Sequence, residues 1–170
     1  MKKLILAILV LALAVCAVAC VKKDTDSGAS TEAGSGATGF SVSVNGTTVE
    51  LGKDAAPVLA ALGTPTVSQE VLDCGVGNSR MFYRFGSVEI YTMKTDGKEV
   101  IDQIELNDDL ASTDKGICIG DTVDKVRAAY GEPQKGDEDD LTYVSGNCEL
   151  TFEIDDGKVE DIDLLRRTNG

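Results

Sequence analysis

The chain has 170 residues, with 16 lysines and arginines against 29 aspartates and glutamates, a net charge of −13. That acidity argues against nucleic acid as a partner and against a polybasic grip on anionic lipid. No histidine is present, which excludes Cys-His and Ser-His-Asp catalytic arrangements and removes the commonest metal ligand.

In chain order, Lys2 and Lys3 precede an apolar run from Leu4 to Val15 that reaches small residues before Cys20, the layout of a secretory signal. The run is shorter than the roughly 20 apolar residues that span a bilayer and has no basic stop, so a permanent transmembrane helix is the weaker reading. Ala17-Val18-Ala19-Cys20 resembles the lipobox of bacterial lipoproteins. The resemblance implies that residues 1–19 are removed and that the Cys20 thiol carries diacylglycerol. Two or three acyl chains would then hold the protein on the membrane. Cys16 follows Val15, where a small residue is expected, and falls in the discarded segment. An ordinary cleaved signal, leaving Cys20 a plain thiol, is the alternative. From Val21 to Gly39 the residues are mostly Gly, Ser, Thr, Ala and Asp without apolar periodicity, so 20–39 reads as a lipidated cysteine and a flexible tether spanning about 25 Å.

Residues 40–168 form one domain's worth of chain, organised by an internal repeat. "LGKDAAPVLAALGTP" at 51–65 matches "IGDTVDKVRAAYGEP" at 119–133, with Gly52, Gly63 and Pro65 falling on Gly120, Gly131 and Pro133. Further on, Tyr83, Gly86, Glu89, Asp96, Gly97 and Lys98 fall on Tyr143, Gly146, Glu149, Asp156, Gly157 and Lys158. Repeat one covers about 49–109 and repeat two about 115–167. Asp54 and Thr122 cap short helices, with Val58 and Leu62, and Val123, Val126 and Tyr130, at helical spacing. Gly63 and Gly131 supply a left-handed stop before proline. Hairpins follow, turning at Gly86-Ser87 and Asp96-Gly97 and again at Gly146-Asn147 and Asp156-Gly157, and an extra hairpin at 40–51 turns at Asn45-Gly46.

The doubled Gly, Gly, Pro spacing followed by an antiparallel meander resembles the fold of beta-lactamase inhibitor proteins, of small outer-membrane-assembly lipoproteins, and of a broad group of Gram-positive lipoproteins. The resemblance implies an α+β domain of two tandem repeats, with helices on one face of the sheet and the other face open. It does not imply inhibition of a lactamase: those inhibitors carry cysteine pairs within their repeats, whereas the first repeat here has only Cys74.

Chemistry-bearing residues are few. Cys74, Cys118 and Cys148 allow one disulfide and a leftover thiol, or three free thiols where no envelope oxidant acts. Asp137-Glu138-Asp139-Asp140 lacks EF-hand spacing and reads as a solvated loop. Gly75-Val76-Gly77-Asn78 follows Cys74 rather than opening a helix, and reads as a turn rather than a phosphate cradle. No metal or other cofactor and no catalysis is expected.

The hairpin around Gly86-Ser87 is more informative. A two-residue turn pairs Phe85 with Val88, Arg84 with Glu89, Tyr83 with Ile90 and Phe82 with Tyr91. Tyr83, Phe85, Val88 and Ile90 then face the core, as do Tyr143, Cys148, Leu150 and Phe152 in the second repeat. The opposite face gathers Phe82, Tyr91 and Met93 beside Arg80, Arg84 and Glu89, with Ile101 joining if the next hairpin has a longer loop. Its counterpart reads Thr142, Val144, Glu149, Thr151 and Glu153. Aromatic, Met and Arg residues compose interface hot spots, so Phe82, Arg84, Tyr91 and Met93 are the expected partner-binding residues. The 40–51 hairpin folding over them, or a purely structural cross-strand pair, is the alternative. The chain therefore reads as a lipid-anchored, non-catalytic module that binds an envelope or extracellular protein. An inhibitor of a beta-lactamase or peptidase, and an envelope assembly or structural factor, are the rival readings.

Overall fold

The computed structural model describes residues 39–72 and 79–167. Two four-residue strands, β1 (Ser41–Val44) and β2 (Thr47–Glu50), form a hairpin with Asn45 and Gly46 at φ 49° and 79°. The helix α1 (Ala55–Leu62) follows, and then β3 (Val67–Leu72), β4 (Ser79–Phe85), β5 (Val88–Thr95), β6 (Lys98–Leu106) and the short β7 (Ala111–Thr113). A second helix, α2 (Val123–Tyr130), leads into β8 (Lys135–Gly136), β9 (Asp140–Ser145), β10 (Cys148–Asp155) and β11 (Lys158–Arg166). The fold is α+β and mostly antiparallel.

Eight strands make one sheet in the order β3-β4-β5-β6-β11-β10-β9-β8, and β2-β1-β7 make a second. The join in the middle of the large sheet is β6 against β11, where Gln103 faces Leu165 and Leu106 faces Ile162. The pairs Phe85–Val88, Arg84–Glu89, Tyr83–Ile90 and Phe82–Tyr91 form as the sequence predicts.

Both helices begin as expected. The Asp54 side chain accepts from the Ala56 amide at 3.0 Å, and Thr122 Oγ1 accepts from the Lys125 amide at 3.3 Å. They end differently from expectation. Gly63 and Gly131 have positive φ, 91° and 82°, but ψ of −143° and −155°, an extended mirror region rather than left-handed helix. That region is open to glycine alone.

One core serves both sheets and both helices. Val42, Val44 and Val49 of the hairpin cluster with Ala55 and Val126 of the helices and with Ile90, Ile104, Leu150, Phe152 and Leu164 of the large sheet. Tyr130 joins the rings of Tyr143 and Phe152 at 5.2 and 5.5 Å, and Phe40 lies 6.1 Å from Tyr130. The 40–51 hairpin thus packs with the helices on the inner face of the large sheet. Its partner is β7, with Val42 facing Thr113 and Val44 facing Ala111.

Ile101 also lies in this core and is fully buried. The Asp96-Gly97 turn is a tight two-residue one, and Tyr91 faces Gln103 while Thr92 faces Ile101. Asp102 is therefore the extra residue of a β-bulge, which keeps Ile101 on the inner face.

Candidate functional site

The outer face of the large sheet is built from residues in register. One row of direct partners runs Arg84, Glu89, Glu105, Asp163, Thr151, Thr142 and Lys135 across seven strands. The next row runs Phe82, Tyr91, Gln103, Leu165, Glu149 and Val144. Successive side chains on a strand alternate faces, so Ile90, Ile104, Leu164, Leu150 and Tyr143 between these belong to the core, while Tyr83 stays half-buried, its hydroxyl donating to Glu99 at 2.8 Å. Hairpin, helices and small sheet all bury their apolar residues on the inner side.

The four residues expected to bind a partner do lie together, but not as an exposed aromatic pair. Phe82 is only 5% exposed, because the Tyr91 ring lies 5.0 Å away and the Arg84 guanidinium covers its face at 5.4 Å. Tyr91 is half-buried, with the Arg80 guanidinium 4.9 Å above its ring. Its hydroxyl donates to Glu89 at 3.3 Å, and burial, Glu105 and Glu89 raise its pKa to about 12. Arg84 pairs with Glu89 at 2.6 Å and keeps a side chain 45% exposed. Met93 is half-buried, facing Arg80 and Val100.

Cations on this face are committed. Arg80 and Arg166 both contact Asp102, at 3.3 and 3.2 Å, and that carboxylate is 7% exposed. Arg80 also donates to Gln103 at 3.1 Å. Glu149 receives Lys135 and, at 2.7 Å, Arg167. Burial pushes the Glu149 carboxyl up, yet the hydrogen bonds from Lys135 and Arg167 outweigh it, and its pKa lies below the ordinary value.

The central carboxylates have no such partners. Glu105 and Asp163 share the side-chain amide of Gln103, at 2.8 and 3.2 Å. Burial, followed by Asp163, Glu89 and Asp161, raises the Glu105 pKa to about 7. Burial, followed by Glu153 and Asp163, raises Asp161 to about 6. Asp163 is raised as well, chiefly by burial. Composition and hot-spot reasoning passed over these acids. Their signal was alternation, in Ile104-Glu105-Leu106 and in Asp161-Ile162-Asp163-Leu164, which places acids on one face and apolar residues on the other.

Cys118 and Cys148 are free thiols, so they do not bridge to one another. Cys148 is buried, and burial pushes both thiols up. Cys20 and Cys74, like the 75–78 turn, lie outside the described residues. Asp137 to Asp140 are exposed, and the Asp137 carboxylate accepts the amides of Asp139 and Asp140. Among the described residues no group of three or more acidic, Cys or His side chains is placed to hold a metal ion, and no helix is long and apolar enough to cross a membrane. A groove of about 280 Å³ lies beside Val44, Leu62, Phe85 and Leu110, and two more open hollows of about 420 Å³ lie beside Ser43 and Thr113 and beside Ile119 and Val159.

No family model matches the chain, and neither a curated protein nor a solved structure matches it.

Proposed function

We propose that the protein is a lipid-anchored extracytoplasmic module that binds another envelope or extracellular protein through the outer face of its large sheet, without catalysis. The observation that carries this reading is the one-sided architecture. The described elements outside the large sheet pack into one core on its inner side, leaving side chains such as Arg84, Tyr91 and Met93 in reach of a partner. A broad, registered, rigid surface suits protein recognition better than it suits a small molecule.

The same reading takes the domain as two tandem units like those of beta-lactamase inhibitor proteins and assembly lipoproteins. Several correspondences support the duplication. Each helix is preceded by a residue bridged to its own meander, Asp54 to Val100 and Thr122 to Lys158. Gly52 donates to Ile101 and Gly120 to Val159, at 2.7 and 2.8 Å. The lipobox at Ala17 to Cys20 supplies the anchor in this reading.

The test is crosslinking and capture from intact envelopes with the full-length protein, comparing wild type with Tyr91→Ala and with Cys20→Ser. The expected result is one captured protein, lost with Tyr91→Ala at a temperature where that variant is folded. Cys20→Ser should release the chain from the membrane fraction or leave it unprocessed. A captured protein indifferent to Tyr91 would move the site off the outer face, and unchanged acylation of the Cys20 variant would end the lipobox reading.

A further inference from the structure

In the second repeat, the segment ahead of β1 lies against the end of α2 and the turn between β9 and β10. Phe40 packs on the core with its ring 6.1 Å from that of Tyr130. Gly39 sits tightly against the turn: a Cβ there would stand 3.0 Å from the Ser145 Cβ and 3.3 Å from that of Cys148. The chain thus covers this place with its own ring, and leads into it through a residue without a side chain.

The repeat alignment carries Tyr130, Ser145 and Cys148 onto Leu62, Phe85 and Val88. All three line the groove of about 280 Å³, together with Val44, Leu110 and Ala111. β1 and β7 pair about Ser43 and Ser112, so counting three residues back from each leads to Phe40 on one strand and to Asp109 on the other. An exposed acid therefore stands where the second repeat has its ring. The backbone turns here, the Asp108 carboxylate accepting the Leu110 amide at 2.9 Å. Leu110 is left 76% exposed at the groove, and Leu62 and Phe85 are only partly buried. Exposed apolar side chains gathered around a concavity mark interaction sites.

We propose that this groove takes a phenylalanine side chain of a partner protein, presented after a small residue as Gly39 presents Phe40 in the second repeat. The inference rests on the reading of the domain as a duplication, and the occupant of the equivalent place in the second repeat names the chemistry. Asp108 alone among the lining residues is charged, and its carboxylate is engaged by the Leu110 amide, so an uncharged ring suits the groove. The contact is separate from the outer face of the large sheet, since neither Arg84, Tyr91 nor Met93 lines it.

The experiment is a titration of the full-length protein with the synthetic peptide "ATGFSVS", a copy of residues 37–43, and with "ATGASVS" as control. The phenylalanine peptide should bind about tenfold more tightly than the control, the effect of burying one ring. Leu110→Ser should weaken it several-fold. Asp109→Phe puts a ring on the chain where the duplication expects one, so it should melt no lower than wild type and lose about tenfold in peptide affinity. Both positions are exposed, so neither change removes a core contact. The control Val144→Ser alters an exposed residue of the outer face and should bind like wild type. Equal affinity for the two peptides overturns the proposal. So does an affinity unchanged by Asp109→Phe and Leu110→Ser, which would mean that the peptide displaces residues 37–43 instead. Self-association of wild type that Leu110→Ser abolishes, without peptide binding, would assign the groove to a second copy and likewise overturn it. Tyr91→Ala tests the outer-face reading separately, and that reading stands or falls on its own result.

Discussion

Glu105 and Asp163 are direct partners across the seam between β6 and β11, and the Gln103 amide donates to both carboxylates. The inner side of the same seam pairs Ile104 with Leu164 and Leu106 with Ile162, all fully buried. Apolar burial therefore holds together two strands whose outer carboxylates repel.

A dependence of stability on pH follows. Glu105 and Asp161 have folded pKa values raised to about 7 and about 6, so the folded chain holds protons that the unfolded chain releases. Their stabilising contribution is fully present below the ordinary carboxylate values and is lost as pH rises through about 6 to 7. Glu149 and Asp121, whose values are lowered, act oppositely, and their contribution is lost only in acid. Glu89, Glu153 and Asp163 add negative charge around the raised pair, while Arg80 opposes it at Asp163. Thermal unfolding should give a midpoint several degrees higher near pH 5 than near pH 8, with the slope flattened in Glu105→Gln. A midpoint that rises over this range would contradict the assignment.

Asp102 should be among the most sensitive positions on the sheet. It occupies the bulge, 7% exposed, and holds Arg80 from β4 and Arg166 from β11. Removing the carboxylate leaves two largely buried guanidinium groups together without a counter-charge. Arg80 Nε and Arg166 Nη2 already lack hydrogen-bond acceptors. Asp102→Ala is expected to cost about 3 to 5 kcal/mol in urea unfolding. A loss below about 1 kcal/mol, the size of an exposed pair, would show that water screens the triad.

What was legible in the sequence divides along locality. The two-residue turn at Gly86-Ser87 and the alternation of Tyr83, Phe85, Val88 and Ile90 fix the β4–β5 register, and all four anticipated pairs form. Asp54, Thr122, Gly63 and Gly131 mark helix ends because capping depends on neighbours in the chain. The β6–β11 seam joins residues far apart in sequence, and no local pattern names that partner. Nor did alternation reveal the bulge at Asp102, since one inserted residue shifts the facing of Ile101 without leaving a compositional trace. β3 went unanticipated as well, its Ser68-Gln69-Glu70 being too polar to read as a strand. The α+β class was thus anticipated, while the acids at the centre of the outer face depended on a pairing that only the fold supplies.

Gly131 offers a test of backbone geometry free of packing. A Cβ there would meet nothing within 4 Å, yet φ is 82° and ψ −155°. Gly131→Ala should therefore destabilise by about 1 to 3 kcal/mol through backbone strain alone. The carbonyl of Gly131 also accepts the Tyr143 hydroxyl at 3.0 Å, so a shift of this residue would be felt in the core. A neutral result in chemical denaturation would mean that the chain finds another way to end α2.

Phe82 and Tyr91 should separate when each is replaced alone. Phe82 is buried beneath Arg84 and beside Tyr91, and removing a buried phenylalanine ring typically costs about 3 to 5 kcal/mol. Phe82→Ala is therefore expected to lower the melting temperature sharply, and to affect binding only as far as it unfolds the protein. Tyr91 is half-buried, so Tyr91→Ala should cost less stability and, under the proposed function, more binding. Tyr91→Phe keeps the ring and loses only the 3.3 Å hydrogen bond to Glu89, which should leave the fold nearly unchanged. Measured side by side, equal destabilisation by Phe82→Ala and Tyr91→Ala would show that both rings serve the sheet alone. A partner that still binds Tyr91→Ala would then have to be held elsewhere than on the outer face.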